Sequence, residues 1–199
     1  MWIYKILIYR GVILKKAMIY VHGKGGSYLE AEQFKNICLD FDVFGVDYND
    51  YFPWIVKNKI MEVYDKISEK YDYIYVLANS IGAYFTMHTL QNFKIEKALF
   101  ISPILDMEQL IVDMMSWANV SEKELSERKE IPTDFGETLS WEYLCFVRAN
   151  PINWKTPTEI LYAEHDNLTQ IPKLRIRRTI KTIRQRMRKQ TKTRLRKNF

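Results

Sequence analysis

The chain has 199 residues, 47% of them apolar and 14% aromatic, which suits one soluble globular domain with a sizeable core. Two cysteines, Cys38 and Cys145, exclude a disulfide framework and lack metal-ligand spacing; both read as buried thiols of a reducing compartment. The net charge of +6 is unevenly spread: 13 Lys and Arg and no acid lie in 171–199, leaving 17 basic against 24 acidic residues in 1–170, a body with no reason to bind nucleic acid.

The sequence opens with MWIYKILIYRGVILKKAMIYVHG. Lys5, Arg10, Lys15 and Lys16 interrupt this stretch and no small-residue cleavage site follows, so it does not read as a signal peptide. No uninterrupted apolar run approaches the roughly 20 residues that cross a bilayer, which excludes a transmembrane helix and makes the protein cytoplasmic by expectation. Residues 2–9 and 12–14 are predicted as two short strands joined at Arg10-Gly11, and KAMIYVHG as a third that stops at His22-Gly23. In SYLEAEQFKNICL, Ser27 and Glu30 form a capping box, with Ala31, Phe34 and Cys38 following at helical spacing. FDVFGVDY is the next strand, and Pro53 opens a helix whose Val56, Ile60, Val63, Tyr64 and Ile67 share a face.

YIYVLA is then a strand, followed by a serine turn and a helix from about Ile81 to Phe93. KALFISP is short and almost wholly apolar, as expected of a strand covered on both faces, and TEILYAEHD follows Pro157 as a further strand. This alternation predicts an α/β protein, with a mostly parallel central sheet and helices on both faces. Between Ile104 and Trp154 the rhythm breaks into a stretch that reads as helical and is rich in Met, Trp and Leu. An insertion after a strand's C-terminal end lies over the edge where such sheets bind ligands. Residues 104–154 are therefore either a helical cap over a pocket or ordinary peripheral helices.

A serine at a strand-to-helix junction is either a helix cap or a nucleophile. Residues 78–82, ANSIG, match the nucleophile-elbow pattern G-x-S-x-G with Ala78 in place of the first glycine. The pattern needs small residues two before and two after the serine, because larger side chains would collide with the neighbouring strand or helix at so sharp a turn. Such a turn exposes the Ser80 oxygen above the sheet edge and aims a helix N-terminus at it, which favours developing negative charge. YVHGKGGS, residues 20–27, supplies a second glycine-rich turn where backbone N–H groups are offered with no side chain in the way.

HGKGG, ANSIG and LYAEHDNLT, in that order, resemble the α/β-hydrolase family, in particular its small bacterial esterase-like members with an HGxGG loop, an ANSxG elbow and a helical cap. The resemblance covers about residues 15–169. It implies an α/β-hydrolase domain over 1–170 with a helical cap insertion at 104–154, the last strand and helix of the fold being absent. The implied activity is that of a serine hydrolase acting on a carboxylic ester or related acyl substrate, with no metal and no organic cofactor. Ser80 is the implied nucleophile, the amides of Lys24 and Ile81 the oxyanion hole, and Asp166 the orienting acid, with Asp106 as second choice. Met114, Met115 and Trp117 are the expected substrate contacts under the cap. HGKGGS lacks P-loop spacing, so no nucleotide is called for.

The family order Ser, Asp, His requires a histidine after Asp166, and none is present. His22 belongs to the loop where the family's histidine is structural. His88 stands about 12 Å along the helix from Ser80, and His165 adjoins Asp166, so their side chains point apart in an extended segment. The final stretch, QIPKLRIRRTIKTIRQRMRKQTKTRLRKNF, is dominated by residues that A-rich codons encode, as an out-of-frame read would produce. Read as genuine, Ile176, Ile180, Ile183 and Met187 form the apolar stripe of a basic helix suited to an anionic membrane or to nucleic-acid phosphates. Three classes stay open: a serine hydrolase, a catalytically silent relative, and a membrane-surface or nucleic-acid binder acting through 171–199. A sheet without its last strand and helix is also expected to be poorly soluble.

Overall fold

The computed structural model describes residues 14–162, whose centre is a five-stranded parallel sheet. Its strands are β1 (Lys16–Val21), β2 (Asp42–Gly45), β3 (Tyr73–Asn79), β4 (Lys97–Ile101) and β7 (Thr158–Leu161), in the order β2-β1-β3-β4-β7. The remaining two, β5 (Glu130–Pro132) and β6 (Thr138–Ser140), pair antiparallel in a separate ribbon. Parallel neighbours require crossovers, and these are α1 (Ala31–Lys35), α2 (Pro53–Ser68) and α3 (Ile81–Leu90).

Period-2 alternation divides the strands between the two faces. On one face Ala17, Ile19 and Val21 of β1 stand in register with Ile74, Val76 and Ala78 of β3, and all six are buried against α2 and α3. The helices supply matching faces: Val56, Ile60, Tyr64 and Ile67 of α2 are buried at spacings of four, four and three. Every residue of α3 from Gly82 to Leu90 is buried, so this helix is enclosed all round. The opposite face is a smaller cluster of Tyr20, Val43 and Leu77 with Ala31 of α1.

The insertion after β4 holds α4 (Met107–Trp117), α5 (Glu122–Arg128), the β5–β6 ribbon and α6 (Trp141–Ala149). Each helix starts on a side-chain cap: Asp106, Ser121 and Ser140 accept the N–H of Gln109 at 2.9 Å, Glu124 at 3.2 Å and Tyr143 at 3.3 Å. Arg148 fastens the helices together, donating to Glu108 at 2.7 Å and bidentately to Glu122 at 2.7 and 3.0 Å. Those bonds hold the Glu122 carboxyl below the usual carboxylate range. Phe146 of α6 seats the insertion on the body, 5.2 Å from the His88 ring and 5.1 Å from Trp54.

Several elements differ from expectation. The helix predicted through Cys38 is a 3-10 turn over Tyr28–Glu30 followed by the five residues of α1. The Phe34 carbonyl accepts both the Ile37 and Cys38 amides, the chain turns away, and Ile37 and Leu39 are left exposed. The insertion is not wholly helical, because Pro132 and Gly136 favour a strand-turn-strand between Glu130 and Ser140. Cys145 is exposed on α6 and Cys38 half-buried, so the reading of both as buried thiols fails; α6 turns Leu144 inward and its neighbour outward. Leu14 is exposed and outside any strand, and the strands predicted earlier in the chain lie outside the described residues. No helix among the described residues is long and apolar enough to cross a membrane.

Candidate active site

β3 ends at Asn79 and α3 begins at Ile81, so Ser80 makes the whole turn, with φ 51° and ψ −121°. A side chain in this region costs about 1–3 kcal/mol and persists only where the surroundings impose it. Here they do. The Ser80 amide donates to Ile101 of β4 at 2.9 Å, and its carbonyl accepts from Ala83 and from Ile104, each at 3.1 Å. The side chain makes no capping bond to α3, in contrast to Ser27, Ser121 and Ser140 on their helices. The helix-cap reading of Ser80 is thereby removed.

The small residues of the pattern have the expected reason. A Cβ on Gly82 would lie 2.5 Å from the carbonyl oxygens of both Val21 and His22, so α3 starts hard against the end of β1. Ala78 is fully buried, flanked in register by Val21 and Phe100.

The loop after β1 stands beside the serine: a Cβ on Gly23 would be 3.1 Å from the Ser80 Cβ. Its shape is fixed by polar contacts on every side. His22, 1% exposed, stacks on Tyr48 with ring centroids 4.0 Å apart, and its Nδ1–H donates to the Gly23 carbonyl at 2.8 Å. The Tyr48 hydroxyl donates to the His22 carbonyl, and burial raises its pKa, keeping it a donor. The Gly25 amide, at φ 74°, donates to the Tyr51 hydroxyl at 2.9 Å, and Gly26 closes the turn on the Gly23 carbonyl at 3.0 Å. Glu30 accepts the Ser27 amide at 3.2 Å and the Tyr20 hydroxyl, which anchors the loop to β1. Among the described residues, the amides of Lys24 and Ile81 donate to no protein acceptor. Ser80, the N-terminus of α3 and the glycine loop after β1 thus stand together at one edge of the sheet.

The other predicted residues are distributed unevenly. Asp106 is exposed and caps α4 through the Gln109 amide. His88 is buried two turns into α3 among Tyr84 and Phe146, and desolvation, then the nearby Lys57, lower its pKa. Met115 is in the core and Met114 half-buried against it, whereas Trp117 is 58% exposed and meets Phe135 with ring centroids 6.1 Å apart. These three do not share one surface. Asp166, His165 and the segment 171–199 lie outside the described residues. Sequence reasoning missed Tyr48, Tyr51 and Glu137. The two tyrosines were within reach of a topological argument, since β2 neighbours β1 and the loops after both strands emerge at the same edge. Glu137, far along in the insertion, carries no such signal.

A parallel sheet with a left-handed serine turn after its central strand and a glycine loop beside it is the architecture of the α/β-hydrolases. Comparison with solved structures agrees. Alpha/beta hydrolase domain-containing protein 10 from mouse matches with a TM-score of 0.59 at 14% identity, over 82% of this chain and 75% of that one. A structure of the metagenome-derived lipolytic enzymes LipS and LipT matches with 0.54 at 15% identity, over 84% and 80%. Est1E from Butyrivibrio proteoclasticus matches with 0.52 at 16% identity, over 75% and 67%. No protein-family profile matches the chain, and no curated protein does. The chain has the α/β-hydrolase fold.

Proposed function

We propose that this protein is a serine hydrolase that cleaves a carboxylic ester or related acyl substrate through an acyl-enzyme on Ser80. The observation that carries the reading is the Ser80 backbone: a strained, uncapped serine with Gly23 against its Cβ, in a chain whose Lys24 and Ile81 amides are uncommitted. In the first step the Ser80 oxygen bonds to the acyl carbon, and the carbonyl electron pair moves onto an oxyanion met by the two amides. The hydroxyl proton passes through a base to the leaving alkoxide as the ester C–O bond breaks. Water then repeats the sequence in reverse and frees the acid. Asp166, five residues beyond the end of β7, is the proposed acid by chain order, and the acyl chain is proposed to run beneath the insertion.

A catalytically silent relative that keeps the fold is the second reading. It is favoured by the two described histidines, since His22 commits Nδ1 to Gly23 and His88 sits two turns along α3. Turnover of p-nitrophenyl esters of increasing chain length separates the two. The hydrolase reading expects nitrophenolate release that Ser80→Ala abolishes; release unchanged in that variant, or none above buffer, overturns it.

A further inference from the structure

The loop beside Ser80 is tied to the insertion by a charge pair. The Lys24 ammonium bonds to the Glu137 carboxylate, 113 residues further along the chain, and lies 6.0 Å from the centroid of the Tyr51 ring. Tyr51 in turn accepts the amide of Gly25, the residue after Lys24. Glu137 stands on a closed turn between β5 and β6: its amide donates to Thr133 Oγ1 at 3.1 Å, and its carbonyl accepts from the Thr133 amide at 2.8 Å and hydroxyl at 2.7 Å. Gly136, at φ 83°, allows that closure. Phe135 of the same turn meets Trp117 at the end of α4. A carboxylate on a fixed turn thus reaches across to the residue that follows Gly23, whose own Cβ position lies against Ser80.

We propose that Glu137 is a positioning residue: it acts from the insertion through the Lys24 side chain to hold the Lys24 amide at its oxyanion-binding angle. The inference rests on the reading of Ser80 as nucleophile. The pair is part-exposed, with side chains 53% and 39% accessible, so its own strength is small. Its leverage comes from geometry, because an oxyanion donor loses effect steeply when it tilts or withdraws.

The test uses the full chain and an alkyl fluorophosphonate, whose phosphonyl oxygen occupies the oxyanion position while fluoride leaves. Glu137→Gln is expected to lower the maximal labelling rate about threefold to fivefold, with the half-saturating probe concentration changed by less than about twofold. Added salt is expected to slow the wild type and leave Glu137→Gln unaffected. The charge-reversed double variant Lys24→Glu/Glu137→Lys is expected to recover most of the lost rate. Hydrogen–deuterium exchange supplies a readout independent of chemistry: Glu137→Gln should speed exchange at residues 22–27 and leave 141–149 unchanged. Equal labelling rates, or a double variant no faster than Glu137→Gln, overturn the positioning role. If the wild type takes no label, the Ser80 reading falls, and exchange alone decides the coupling: no acceleration at 22–27 overturns it.

Discussion

At the scale of single residues, the site depends on positions where almost no other side chain fits. Ser80 holds a left-handed conformation because Ile101 of β4, Ala83 of the helix ahead and Ile104 fix its amide and carbonyl. Gly82 is the clearest case, since two backbone oxygens, from Val21 and His22, occupy the space of its missing Cβ. Gly82→Ala must push α3 away from β1, and we expect it to destabilise the fold by about 2–3 kcal/mol and to disturb the serine turn. Chemical denaturation checks this; a variant within about 0.5 kcal/mol of wild type contradicts the close approach. These positions were legible because the turn admits so few residue types, so ANSIG and HGKGG carry their own geometry. Tyr51 and Glu137 were not, since each acts through a partner far away in sequence.

At the scale of elements, burial decided what the sequence pattern left open. α2 was read correctly because Pro53 and four inward residues agree on one helix. The helix expected through Cys38 stops at Lys35, because Ile37 and Leu39 find no surface to cover and their spacing does not outweigh the turn into β2. The ribbon at Glu130–Ser140 was missed because three-residue strands are too short to show a period. Between α3 and α6 lies His88, buried beside Phe146, with its pKa lowered from 6.5 by desolvation and by Lys57. Its folded pKa lies below the unfolded one, so the unfolded chain binds the extra proton first. Stability is then full above about pH 6.5 and falls as the pH drops below that value. Thermal melts between pH 7.5 and 5 should show a steeper loss in wild type than in His88→Gln; parallel curves contradict the assignment.

At the scale of the whole molecule, the parallel sheet brings the ends of β1, β2 and β3 to one edge, and the insertion after β4 reaches back to it through Glu137. That convergence pairs Lys24 with Glu137, 113 residues further along the chain. The fold class followed from the alternation of strands and helices, whereas the arrangement of the insertion depended on contacts such as Arg148 with Glu108 and Glu122. The central claim is that the Ser80 hydroxyl is an activated nucleophile, and covalent capture tests it most directly. After treatment with a fluorophosphonate, intact-mass and peptide analysis should find one adduct per chain, on the peptide containing Ser80, absent from Ser80→Ala. A wild type that stays unmodified, or an adduct that persists in Ser80→Ala, would contradict it.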